Sequence, residues 1–192
     1  MKSYTYLKLF FISSLSFILM AGSCSNDDDE VIPELFEPIT INIVENMFTD
    51  CDQTYTVDNV ALTYRTITLN EACNPDTAQI GECNFNPDHS ISIEVNETNP
   101  FFGEYRLFLG TYLDIDLSQL ENASKIRMLI GDYCGVSCTR ANLYNGSEII
   151  NHTENEIYNP NTIEELVFDD LSQADHVTLY SCEAFVYQII IE

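Results

Sequence analysis

Thirty-one Asp and Glu residues stand against seven Lys and Arg, so carboxylate oxygen is the commonest reactive group this chain offers. Asp114 and Asp116 lie in the run Leu113 to Leu117 (LDIDL). Strand alternation there puts Leu113, Ile115 and Leu117 on one face and both aspartates on the other. A solvated strand face is the plainer reading of the two aspartates; the alternative is that with Asp132 they form a candidate Ca²⁺ set, because calcium takes hard oxygen ligands. The loop Asn70 to Asp88, with Glu71, Asp76, Glu82 and Asp88, and the loop Asp132 to Ser137 offer comparable ligands. Neither an EF-hand nor a glycine-aspartate repeat occurs, so a calcium site would be assembled from separate loops. Ca²⁺ is the one cofactor the residue types suggest. Pairs such as Asp114/Asp116 and Glu164/Glu165 are too numerous in so acidic a chain to mark a glycosidase dyad.

Aromatic rings next to polar groups are the other chemistry on offer, because a ring stacks on the apolar face of a sugar while its neighbours bind hydroxyls. Tyr133, Tyr112 and Tyr144 are the principal ligand-binding candidates, with Tyr64 and Tyr158 as further exposed-ring candidates. Tyr133 falls in the Gly131 to Cys138 loop, which a disulfide would rigidify. Trp is absent. His89, His152 and His176 sit in different segments and read as isolated surface imidazoles. Nucleophile elbows, zinc-protease helices, phosphate loops and dinucleotide fingerprints are all missing, so no catalytic residue is assigned and the chain is expected not to be an enzyme. A formal net charge of -24, with no Lys/Arg cluster, argues against nucleic acid and anionic lipid surfaces as partners.

Seven cysteines remain to be placed. Cys51, Cys73, Cys83, Cys134, Cys138 and Cys182 form an even set and read as up to three disulfides in an exported chain. Sequence proximity suggests Cys134 with Cys138, Cys73 with Cys83, and Cys51 with Cys182, one of about 15 possible pairings. A zinc site at Cys134 to Cys138 is the competing reading, but no second close Cys pair or nearby His completes it.

The seventh, Cys24, follows an export segment. Lys2 and Lys8 precede the apolar run Leu9 to Met20, then come Ala21, Gly22, Ser23 and Cys24. This is signal-peptide anatomy, and the apolar run is shorter than the roughly 20 residues of a bilayer-spanning helix. The arrangement resembles the bacterial lipobox, with Ala21 where Leu is usual, which implies lipidation of Cys24 as the first mature residue. The following Ser25 to Glu30 (SNDDDE) resembles the acidic export signal of Bacteroidota lipoproteins shown on the outer face of the outer membrane; its bland alternative is a solvated tether. The expected organisation is a signal peptide over 1–23, a lipidated Cys and acidic tether over 24–38, and one folded domain over 39–192. The membrane is expected to be touched through the lipid anchor alone.

Beyond Ile39, short runs alternate apolar with polar residues, the period of half-buried strands. Such runs begin at Ile39, Leu62, Ile91, Tyr105, Leu113, Lys125, Arg140, Glu148, Glu164, His176 and Phe185. Asn145-Gly146 predicts a type I′ hairpin turn, and Glu183-Ala184 a second tight connection. Asn70 to Asp88 lacks alternation and reads as a long loop. No window of helical period stands out. The expected fold is all-β: an antiparallel, jelly-roll-like β-sandwich of about eleven short strands, stapled by disulfides. From Leu113 onward the order of Asp116-Leu117-Ser118, Gly131-Asp132-Tyr133-Cys134-Gly135, Ala141 to Ser147, Leu166-Val167-Phe168, His176 to Leu179, Ser181-Cys182-Glu183 and a last hydrophobic strand resembles the galactose-binding-like jelly-roll domains of bacterial surface proteins. That resemblance implies adhesive, carbohydrate-binding or structural roles. The expected function is non-catalytic binding of glycan or another surface ligand; an accessory lipoprotein that binds a protein partner, and a small hydrolase, are the alternatives.

Overall fold

The computed structural model describes residues 36–65, 67–69, 78–80, 90–109, 112–132, 137–157, 162–181 and 184–192. The chain divides into two compact units, Met1–Glu34 and Leu35–Glu192, and every described residue belongs to the second. The expected signal peptide, Cys24 and the acidic stretch after it lie outside the described residues.

The domain is an all-β antiparallel sandwich of two sheets with twelve strands, plus a small two-stranded ribbon. In chain order the strands are β1 (Ile39–Asn42), β2 (Thr54–Val57), β3 (Val60–Arg65), β4 (Ile67–Leu69), β5 (Ala78–Ile80), β6 (Ile91–Ile93) and β7 (Tyr105–Leu109). They continue with β8 (Tyr112–Asp116), β9 (Ile126–Asp132), β10 (Ser137–Asn145), β11 (Glu148–Ile157), β12 (Ile163–Phe168), β13 (His176–Ser181) and β14 (Ala184–Ile191). Sheet I runs β12-β9-β14-β7-β6, with β1 also on β14; sheet II runs β11-β10-β13-β8-β3-β2. β4 and β5 form the ribbon.

Alternation decides which face each strand buries. Leu113, Ile115 and Leu117 are at most 3 % exposed, as are Val177 and Leu179 on β13 and Ala141 and Leu143 on β10. They meet Met128, Ile130, Leu166, Val186, Ile189 and Ile191 from sheet I in one apolar cluster. Each such side chain taken out of water contributes about 1.5–3 kcal/mol. The residues between them must therefore point away from the core.

Several expectations change. The sequence reading missed β2, and the unpatterned stretch Asn70 to Asp88 contains β5, which pairs with β4. The β2–β3 connection is Asp58-Asn59 with φ of 46° and 66°, so the type I′ geometry sits there. The β10–β11 turn is one residue later than predicted: Asn145 pairs with Glu148, leaving Gly146-Ser147 as the loop. Gly146 has φ 58° and Ser147 is not in the left-handed region, which is the type II′ pattern with glycine first. β13 belongs to sheet II and β14 to sheet I, so the predicted connection at Glu183-Ala184 does not join two strands of one hairpin; Cys182 and Glu183 lie outside the described residues.

Candidate functional site

The outward face of sheet II is a registered array of aromatic and polar side chains. Arg65 stands opposite Tyr112, Tyr112 opposite Tyr180, Tyr180 opposite Arg140, and Arg140 opposite Glu154. The next row holds Thr63, Asp114, Thr178, Asn142 and His152, and the third Ala61, Asp116, His176 and Tyr144. Side chains directly opposite one another on antiparallel strands touch, so each row is a continuous strip.

The rings are linked. Tyr112 meets Tyr180 edge-on at 5.0 Å between centroids, and Tyr144 stacks on His176 at 4.5 Å and 7°. The hydroxyls of Tyr144 and Tyr180 lie 3.3 Å apart. Asn142, only 2 % exposed, donates to the Tyr144 hydroxyl at 3.4 Å and accepts from Arg140 Nε at 2.9 Å. At the rim, His176 Nδ1 is 2.5 Å from Asp175 Oδ1, and Asp175 Oδ2 accepts from the Gly146 N–H at 2.6 Å. Burial pushes the Asp175 carboxyl up, but those two partners outweigh it and hold the group below the usual range.

Two polar atoms on this face are buried without a hydrogen-bond partner among the described residues: Arg65 Nε and Asp114 Oδ1. Burial raises the Asp114 carboxyl above its ordinary value, and Asp116 and Asp175 add to the shift while His176 and Arg65 oppose it. Burial likewise raises Tyr112, and pushes Tyr180 up to about 12. Both phenols therefore remain neutral donors at physiological pH, set around a carboxylate that lacks one of its partners.

Of the predicted site residues, the fold brings Tyr112, Tyr144, Asp114 and Asp116 onto this one face. Tyr133 and Tyr158 lie outside the described residues. Asp132 ends β9 in the other sheet, and its side chain is not among those described. The calcium trio is thus divided between sheets; among the described residues no three His, Cys, Asp or Glu side chains are grouped to hold a metal. Asp116 Oδ1 instead accepts from the Ser118 N–H at 2.8 Å. Tyr64 is corrected from exposed candidate to core residue: it is 2 % exposed, its ring 5.6 Å from that of Phe48. His176 is not isolated, being stacked and paired as above, whereas His152 is exposed and His89 lies outside the described residues. Of the six paired-cysteine candidates, Cys73, Cys83, Cys134 and Cys182 lie outside the described residues, as does the side chain of Cys138. The sequence reading missed Tyr180, Arg65, Arg140 and Asn142. The same period that placed Asp114 outward would have found Tyr180, since Val177 and Leu179 alternate with His176, Thr178 and Tyr180.

Sheet I carries a second polar cluster on its outward face. β14 pairs with β7 through Ala184 to Val186 and with β1 through Gln188 to Ile191. Tyr187 lies at the change of partner, in a register shift against β9 that aims its ring outward. The ring passes over Gly131, where an added Cβ would lie 2.8 Å from Tyr187 Cε2. Tyr187 donates to Glu94 at 2.5 Å, and Asn99 and Arg106 donate to the same carboxylate at 3.1 and 2.5 Å. Arg106 also covers the Phe185 ring at 3.7 Å, and Phe101 stacks on Tyr187 at 5.0 Å. Burial pushes Glu94 up, but Tyr187, the Asn96 N–H and Arg106 outweigh it, so its carboxyl lies below the usual range. A cavity of about 300 Å³ opens beside it, lined by Phe101, Tyr105, Tyr187, Asn42, Glu104 and Gln188 among others.

No protein-family model matches the chain, and no curated protein matches it. Among the solved structures that are similar in part are the following two. A carbohydrate-binding module, TmCBM61, solved with β-1,4-galactotriose, aligns over 53 % of this chain and 74 % of its own, at 9 % identity and a TM-score of 0.35. The enzymatically active domain of tailspike protein 4 from bacteriophage CBA120 aligns over 70 % of this chain but only 18 % of its own, at 10 % identity and a TM-score of 0.33.

Proposed function

We propose that the chain is a surface lipoprotein, anchored at Cys24 in the outer membrane, whose jelly-roll-like sandwich binds glycan without catalysis on the outward face of sheet II. The observation that carries this reading is the pair Arg65 Nε and Asp114 Oδ1. Both are buried and have no hydrogen-bond partner among the described residues, and they are diagonal neighbours on adjacent strands, beside Tyr112 and Tyr180. A hydroxyl is both donor and acceptor: it gives its proton to Asp114 Oδ1 and takes the Arg65 N–H. A buried polar atom without a partner costs about 1–3 kcal/mol, and a ligand hydroxyl that bridges the two relieves both deficits. The neighbouring phenol rings supply the apolar contact that sugar rings need. The leader motif supports lipid anchoring and surface display. The even set of six cysteines beyond Cys24 supports a cystine-stapled domain in an oxidising compartment.

The test is binding of the full chain to a polysaccharide panel, with Tyr180→Ala and Asp114→Asn alongside. Saturable binding that both variants weaken by about tenfold or more supports the site. A flat response across the panel overturns the glycan reading. A second reading, recognition of a protein, has its own observation: Ile93 at the end of β6, an edge strand among the described residues, and Val95 and Phe102 in the connection after it are 46 %, 74 % and 53 % exposed. An apolar edge of this kind is where an extended segment of another chain adds. Crosslinking on intact cells separates the two.

A further inference from the structure

Beyond the leader the chain has only five cations: Arg65, Arg106, Lys125, Arg127 and Arg140. Three are paired with carboxylates. Arg106 holds Glu94 at 2.5 Å, Lys125 holds Asp169 at 2.8 Å, and Arg127 holds Glu192 at 3.0 Å and Glu165 at 3.5 Å. Arg65 and Arg140 have no carboxylate within ion-pair distance among the described residues. In a chain with 31 acidic residues, both fall in one row of one face, on either side of Tyr112 and Tyr180. Even Glu154, directly opposite Arg140 in register, makes no ion pair with it. Arg140 is oriented instead by its Nε–H to Asn142 Oδ1 at 2.9 Å, which leaves its terminal N–H groups free of that bond.

We infer that the glycan bound on this face is anionic, and that Arg65 and Arg140 read its carboxylate or sulfate groups across the tyrosine pair. This rests on the glycan reading above. The guanidinium fork matches a planar carboxylate or a sulfate edge with two parallel hydrogen bonds, a geometry that lysine cannot supply. Neighbouring strands lie about 4.8 Å apart, so the three steps from β3 to β10 set the two arginines about 14 Å apart. That span suits charged groups on non-adjacent sugars with uncharged ring faces against Tyr112 and Tyr180 between them. The chain's overall negative charge acts at longer range and is screened within about 8 Å at physiological salt, so contacts at the row decide the affinity.

A polyuronate and its methyl ester share a backbone and differ only in whether the carboxylate is charged. The full chain is expected to bind the free acid about tenfold more tightly than the ester. Arg140→Gln is expected to abolish most of that preference while leaving affinity for the ester within about twofold, whereas Arg65→Gln, which also removes the N–H offered to the bridging hydroxyl, lowers affinity for both and for the acid by more. Arg65→Lys and Arg140→Lys, which keep the charge and lose the fork, fall between, and an unchanged far-UV spectrum shows that each variant is folded. A sulfated polysaccharide run beside the polyuronate tells which oxyanion is preferred. Equal affinity for acid and ester, or equal loss on both in the glutamine variants, overturns the anionic assignment and leaves the glycan reading standing. Binding to no member of the series, charged or neutral, removes the glycan reading and this inference with it.

Discussion

On the outward face of sheet I, Glu94 is 3 % exposed and takes hydrogen bonds from Tyr187, Asn99, Arg106 and the Asn96 N–H. On the outward face of sheet II, Asp114 is half-buried, and one of its oxygens has no partner among the described residues. The two carboxylates answer the same burial in opposite ways. Burial alone pushes both up; partners bring Glu94 back below the usual glutamate range, while Asp114 stays above the usual aspartate range. A carboxylate that folding satisfies stabilises the fold. One that folding leaves short of partners is kept at a cost, and such costs concentrate where a ligand completes the set. The first cluster ties the 94–104 loop onto β14, and the second is the better candidate for binding.

The largest expected effect tests the first half of that contrast. Arg106→Ala strips Glu94 of its cation and Phe185 of the guanidinium stacked on it, and is expected to cost about 3 kcal/mol in urea unfolding. The pH dependence has a definite sign. The folded pKa of Glu94 lies below its unfolded value of about 4.5, so the stability it contributes is complete above pH 4.5 and is lost as pH falls through the lowered folded value. Arg106→Ala is expected to shrink that acid-limb loss as well. A variant as stable as the parent, with an unchanged acid limb, would show the cluster to be ornamental.

The same edit made on both faces sharpens the comparison. Tyr187→Phe removes a hydroxyl that donates to a buried carboxylate and accepts from Asn99, and is expected to cost about 2 kcal/mol. Tyr144→Phe removes a hydroxyl held, among the described residues, by long contacts of 3.3 and 3.4 Å to Tyr180 and Asn142, and is expected to cost about 0.5 kcal/mol. Denaturant midpoints measured side by side read the difference. Equal losses would erase the distinction between a built network and an open one.

How much of this was legible in the sequence depends on which residues are asked about. Leu113 to Leu117 announced its two faces through alternation alone, and the buried set Leu113, Ile115 and Leu117 follows it. Tyr64 was also legible and was misread: in LTYRTITL it shares a face with Leu62, so the period that made the run a strand already placed its ring inward. Asp58-Asn59 carries a signal of the same kind, since both residues tolerate positive φ, but it is weaker than the Asn-Gly pair further on and lacks a strong run before it. Tyr187 was out of reach. Its outward aim comes from a register shift in the middle of VYQIII, and local composition gives no sign of where a strand changes partner. The Arg65–Asp114 neighbourhood was hidden for a related reason, because it exists only once β3 and β8 pair across an interval of more than forty residues.

Asp114→Asn carries a small expected change in stability, and its sign decides the comparison. Asn preserves the shape of Asp and removes a partly buried charge whose hydrogen bonding is incomplete. Unfolding is expected to become harder by about 1 kcal/mol at neutral pH, the reverse of every substitution at the Glu94 cluster. The pH dependence runs the opposite way too. Because the folded pKa of Asp114 is raised, the native state takes up its proton before the unfolded state does, so the parent recovers the penalty as pH falls through that raised value. The gap between Asp114→Asn and the parent should therefore close toward acid, whereas the Arg106→Ala gap narrows there for the other reason, loss of the parent's own stabilisation. Glycan affinity must fall in the same variant that gains stability, since the bridging hydroxyl loses its charged acceptor. A variant that is destabilised and binds normally would mean that Asp114 is a satisfied structural group, and the contrast between the two faces would be lost.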